Sequence, residues 1–210
     1  MVNFKCMIRK IVIIGPESTG KSTLCSELAT HFHTVWCPEY AREYLLKYGT
    51  DYSFEDLAVI ASGQLKLEEE YVEKVRKSES QKVGKPERTD DNSSNPGLPE
   101  SRTSGLLFLD TDMYVMKVWC EFVFGKCHRF VLDEIVQRKY DLYLLCNTDL
   151  PWVKDELREY PDLQTRETLF RIYKDLLVNQ STPWVEIQGN NEARLQIAIE
   201  AVNRLLSNEY

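Results

Sequence analysis

Residues Gly15-Pro-Glu-Ser-Thr-Gly20-Lys21-Ser22 fit the pattern G-x-x-x-x-G-K-[ST]. Glycines at the two ends let the backbone turn tightly, so that successive N–H groups point at phosphate oxygens. A helix opening at Lys21 would aim its positive end at the same place. In that geometry Gly15, Glu17, Ser18, Thr19, Gly20, Lys21, Ser22 and Thr23 surround the phosphates of ATP. Lys21 reaches the β- and γ-phosphates, and the Ser22 hydroxyl ligates Mg²⁺. The chain has no N-K-x-D run to read a guanine base, and Cys146 is followed by Asn-Thr-Asp instead. That argues against a GTPase, while the preference between ATP and GTP as donor stays open.

Acidic residues follow two apolar runs, and in an open parallel sheet chemistry gathers at the carboxyl ends of strands. Leu106–Leu109 leads into Asp110 and then Asp112. An acid in the position of Asp110, beside a phosphate loop, holds Mg²⁺, usually through water. Asp112 either caps a helix starting at Met113 or binds a sugar hydroxyl. The run 34–37 leads into Glu39, with Arg42 close behind. Glu39 would face the γ-phosphate from the acceptor side and take the proton of an attacking hydroxyl, while Arg42 neutralises phosphate charge. Whether Glu39 or Asp112 is the base is open at this stage. A further charged stretch, Pro151 to Arg158 and then Gln164 to Glu167, suits a lid that keeps water from the γ-phosphoryl group. Arg158 and Arg166 would touch phosphates on closure. Trp152 would stack on a flat ring or pack under the lid.

These groups need a scaffold, and the apolar pattern supplies one. Strands are expected at 11–14, 34–37, 106–109, 142–146 and 184–187. Helices are expected at 21–32, 40–46, 113–124, 128–139, 166–179 and 193–206. Ser53 with Asp56 reads as a capping box for another long helix, reaching Val75. Residues 151–160 read as a loop or short helix. Alternating short strands and helices imply an α/β fold, a parallel five-stranded sheet covered on both faces. Residues 77–105 are almost without apolar side chains and read as a mobile surface insertion.

The length, 210 residues, suits a single domain spanning 1–210. A net charge of -7 argues against nucleic acid and anionic membranes as partners. The six cysteines form no C-x-x-C pair and read as buried or incidental thiols. With no signal-peptide pattern or long apolar stretch, a cytoplasmic location is expected.

The motifs at 15–22, Glu39-Tyr-Ala-Arg-Glu-Tyr44, Ile60-Ala-Ser-Gly-Gln64, Asp110-Thr-Asp112 and Pro151-Trp-Val-x-Asp-x-Leu-Arg158 occur in one order. In this the chain resembles the NadR-type nicotinamide riboside kinase domain of the P-loop NTPase superfamily, over about residues 8–76 and 106–206. The resemblance implies a nucleoside-kinase-like fold with a helical lid. It implies phosphorylation of the ribose 5′-hydroxyl of nicotinamide riboside by ATP and Mg²⁺ in NAD salvage. Motif by motif it carries Lys21, Ser22, Glu39, Arg42, Asp110, Asp112, Trp152, Asp155 and Arg158 into the site. The adenylyltransferase domain often fused to that family is not expected here. The long insertion, Glu156 where the family often has Gly, and Pro16 depart from the pattern without removing a catalytic group. Two other readings stand beside this one. One is a kinase for another nucleoside or nucleotide. The other is a nucleotide-binding regulatory protein without catalysis.

Overall fold

The computed structural model describes residues 8–82, 105–208 and 210. Its central strand is β1 (Arg9–Ile14), where the β-branched run Ile11 to Ile14 is wholly buried. Beside it lie β3 (Leu106–Asp110) and β4 (Leu142–Cys146), with β2 (Val35–Cys37) and β5 (Trp184–Ile187) at the edges. The order is β2-β3-β1-β4-β5, and every neighbouring pair is parallel. Such a sheet is stable only when both faces are covered, and its strands can then be apolar throughout.

Side-chain alternation sorts the core into two layers. Ile11, Ile13, Phe108 and Leu144 face α1 (Lys21–His31) and α7 (Asn191–Leu206). Val12, Ile14, Leu109 and Tyr143 face α3 (Phe54–Lys82), α4 (Met113–Phe124) and α6 (Leu163–Val178). A third cluster packs α2 (Tyr40–Tyr48) and α5 (Arg129–Gln137) against α3 and α4. No helix among the described residues is long and apolar enough to cross a membrane.

The register brings the chemistry to one edge. Ile13 pairs with Asp110, and Ile14 with Leu145. The turn after β1 and the carboxylate ending β3 therefore meet at the carboxyl edge of the sheet.

The expected elements are present, with informative differences. The capping box holds: the Ser53 amide and hydroxyl both donate to Asp56, at 2.8 and 2.7 Å. The long helix that it opens runs on to Lys82, so residues 77–82 are helix and not part of the insertion. Apolar periodicity stops near Val75, but the Lys, Glu and Gln that follow are good helix formers. The rest of the expected insertion, 83–104, lies outside the described residues. Helix α6 begins before Arg166 because the Asp162 side chain caps it, accepting from the Thr165 N–H at 2.7 Å. Residues 151–160 form a loop with a single turn, leading into α6.

Candidate active site

The loop between β1 and α1 has the shape that its glycines predict. Gly15 has φ 143°, and a Cβ there would lie 2.7 Å from the Cys146 carbonyl oxygen. Gly20, at φ 76°, closes the loop as the residue before α1. Inside the loop, buried Thr19 donates to the Pro16 carbonyl at 2.8 Å. The Lys21 ammonium arches back to the same carbonyl at 2.9 Å, which keeps the charge over the loop's concave face.

A residue that the sequence did not single out braces this loop from beneath. Arg194 of α7 is 3% exposed. It donates to the carbonyls of Thr19 at 2.9 Å, Asn147 at 2.8 Å and Gly189 at 2.9 Å, and it also pairs with Asp149. Its only sequence signal was a charge on the apolar face of α7, in line with Ala198.

Asp110 is 2% exposed at the end of β3. Burial pushes its carboxyl up, opposed by Lys21 and by a hydrogen bond from the Ser22 hydroxyl. One of its oxygens, Oδ1, has no hydrogen-bond partner among the described residues. A serine hydroxyl beside a carboxylate with a free oxygen fits the all-oxygen donor set that Mg²⁺ prefers. Thr111 follows with φ 121°, strained for a threonine, and is buried between the two acids.

Asp112 takes the capping place that was one of its two alternatives. It does not line the cleft but is buried as the cap of α4. It accepts from the N–H groups of Tyr114 at 2.9 Å and Val115 at 3.3 Å, and from the Tyr143 hydroxyl at 2.8 Å. The capping alternative is therefore the one realised, and of the two base candidates only Glu39 faces the cleft. Burial, and after it Asp110, push the Glu39 carboxyl up to about 7, with Lys21 and Arg42 pulling the other way.

The lid segment is strapped onto the phosphate loop. Glu17 accepts from the N–H of Glu159 at 2.9 Å and of Tyr160 at 2.5 Å. Ser18 Oγ accepts from the Val153 N–H at 2.9 Å. Arg166, 2% exposed, donates to the Ser18 carbonyl at 3.2 Å and the Leu150 carbonyl at 3.3 Å. Arg42 and Asp155 form a two-pronged pair, 3.2 Å on each prong, across the mouth between α2 and the lid. Arg158 lines the cleft and donates to the Val153 carbonyl.

Trp152, for which two places were open, does not line the cleft. Its indole N–H points at Glu17, 3.4 Å away. The aromatic wall comes instead from Trp36, Trp119, Phe122 and Tyr173. Trp119 is held by its indole N–H, which donates to the Tyr52 hydroxyl at 2.8 Å. The sequence carried a hint of this. Helix α4, MYVMKVWCEFVF, is apolar nearly all round, more than one buried face requires, and Phe122 and Val123 are more than a third exposed.

Together these residues enclose a cleft of about 490 Å³. The phosphate loop and Asp110 form one end, Glu39, Arg42 and Asp155 the flank, and the α4 and α6 side chains an apolar wall. That volume suits a small molecule.

Comparison with known proteins bears on the family and the fold. The model of a family described as an AAA domain matches residues 10–86 and 94–194. The trifunctional NAD biosynthesis/regulator protein NadR of Escherichia coli (strain K12) is 23% identical over 203 residues. That match covers 96% of this chain and 44% of NadR, so the chain spans less than half the length of that relative. A crystal structure of NadR in complex with NR superposes with TM-score 0.66 at 21% identity, over 95% of this chain and 51% of that one. Another, of NadR with NAD and AMP-PNP, gives TM-score 0.60 at 21% identity, over 96% and 50%. The likeness to the NadR-type domain read from the five motifs is borne out.

Proposed function

The chain belongs to the AAA domain family, and on that premise we propose that it is a kinase transferring the γ-phosphoryl group of ATP to the 5′-hydroxyl of nicotinamide riboside. One observation carries this reading. A single cleft joins a phosphate loop, a buried carboxylate beside Ser22 and a second carboxylate, Glu39, on the acceptor side. The NadR complexes with NR and with AMP-PNP support the two substrates. The aromatic wall also suits the flat, positively charged pyridinium ring of the riboside.

The chemistry follows from placement. The N–H groups of the loop and the Lys21 ammonium grip the β- and γ-phosphates. Ser22 and Asp110 would hold Mg²⁺, which neutralises charge on the phosphates when bound. Glu39 accepts the proton of the ribose hydroxyl as its oxygen bonds to the γ-phosphorus. The bond from that phosphorus to the β–γ bridging oxygen breaks, and ADP carries away the electron pair. Burial and the neighbouring Asp110 raise the proton affinity of Glu39, as a base for an alcohol requires. Arg158 and Arg42 stand on the acceptor flank, able to offset charge on the transferred group. The lid, tied down through Glu17 and Ser18, shields the site from water.

An ADP-release assay with a panel of nucleosides and nucleotides tests the reading, with Lys21→Ala as the inactive control. Release that depends on nicotinamide riboside is the expected result. Release with a different acceptor only would assign the chain to another nucleoside kinase. Binding of ATP with no release for any acceptor would favour a nucleotide-sensing regulator.

A further inference from the structure

Glu39 sits in a turn that one distant side chain holds on both sides. Gln64 of α3 is 2% exposed. Its Oε1 accepts from the Tyr40 N–H at 2.7 Å, just after Glu39. Its Nε2 donates to the Pro38 carbonyl at 3.3 Å, just before Glu39, and lies 3.7 Å from Cys37 Sγ. Next to it, Gly63 makes the approach possible, since a Cβ there would come within 2.1 Å of the Tyr40 ring. The pair Gly63-Gln64 thus takes the Tyr40 ring against the helix backbone and the Tyr40 N–H against the amide.

The consequence for Glu39 is clearest beside Asp112. Both are acids in the residue before a helix that follows a strand. Asp112 spends its carboxylate on the N–H groups of its own helix and is lost to the cleft. Glu39 makes no side-chain cap bond to α2, and its turn is fixed by Gln64 instead. An acid at a helix start is ordinarily drawn into capping. Here the backbone is pinned on each side of the acid while the carboxylate stays directed at the cleft.

We infer that Gln64 is a positioning residue, which fixes the Pro38–Tyr40 backbone so that the Glu39 carboxylate meets the acceptor hydroxyl. The inference rests on the reading of Glu39 as the base. A buried amide with every polar atom engaged also costs free energy if the turn moves, because those atoms would lose their partners. The turn is therefore held in one geometry rather than a family of them.

A double-mutant cycle with Glu39→Gln and Gln64→Leu tests this, read by kcat, KM for ATP and thermal unfolding. Leucine keeps most of the volume and removes all three contacts. In the parent, Gln64→Leu should lower kcat by about 10- to 100-fold, the effect of a small misplacement of a reacting group. KM for ATP should stay within about threefold, because the phosphate loop is untouched. In the Glu39→Gln background the same change should cost less than about threefold, since nothing remains to be positioned. If Gln64→Leu does not fold, Gln64→Met gives the same readouts with a more adaptable side chain. The inference is overturned if Glu39→Gln is inactive and Gln64→Leu keeps the parental kcat, or if the two losses multiply independently. Full activity in Glu39→Gln overturns the assignment of the base itself, a separate and recognisable outcome.

Discussion

Replacing Arg194 by methionine would remove a cation that nothing in the local sequence ties to the phosphate loop. The side chain is 4% exposed and donates to three backbone carbonyls, one of them from Thr19 inside the loop. A hydrogen bond from a charged donor contributes about 1.5–3 kcal/mol, and breaking a buried charged network costs about 3–5 kcal/mol. The part-exposed partner Asp149 can turn to water and adds little. A net loss near the lower end, about 3 kcal/mol, is therefore expected. For a chain of this length that lowers Tm by roughly 6–12 °C. The Thr19–Gly20 peptide belongs to the loop proposed to face the phosphates, so ATP affinity should weaken about tenfold, or about 1.4 kcal/mol. Denaturant unfolding and calorimetric titration with ATP measure the two effects separately. Arg129→Met serves as control, because the Arg129–Asp133 pair lies along the open surface of α5, and no measurable change is expected there. A stability within about 1 kcal/mol of the parent, with unaltered ATP binding, would refute the bracing role.

Two further predictions concern the base and the turn. Burial and Asp110 push the Glu39 carboxyl up to about 7, so if it is the base and acts deprotonated, kcat should be present above that pH and fall as pH drops through it. Glu39→Gln should leave a low, flat profile, and an acid limb that persists unchanged in this variant would place the base elsewhere. Gly15→Ala forces a Cβ to 2.7 Å from the Cys146 carbonyl at φ 143°. A loss of about 3 kcal/mol or more is expected, seen as a large fall in Tm, and an unchanged Tm would contradict the observed turn.

The parts of the fold that were legible are those fixed by neighbours in the chain. Ile11 to Ile14 could only be a strand buried on both faces, and the run Leu142 to Cys146 likewise. The phosphate loop could be read because its glycines, lysine and serine are consecutive. Apolar spacing ends near Val75 and so puts the boundary at residue 77, whereas the last turns of α3 are carried by helix propensity in polar residues. The aromatic wall is hidden from the sequence for a different reason. Trp152 lies within a charged lid motif and draws attention, but the loop turns it toward Glu17. Trp119 reaches the cleft because α4 forms part of its wall, a packing fact that no local pattern records.

Glu39 and Asp112 show why the roles of acids at strand ends cannot be ranked from position alone. Each follows a strand and precedes a helix, and each lies near apolar neighbours. The carboxylate is free for chemistry only where another group secures the helix start, and that depends on which element packs against the turn. Asp112 secures the start of its own helix and is further held by Tyr143. For Glu39 the long helix α3 delivers Gln64 from 24 positions beyond Tyr40. A strand-end acid is therefore better read together with the nearest buried amide than by itself. In this chain the Gly63-Gln64 pair holds the turn of the proposed base, Glu39, whereas Asp112 caps its own helix.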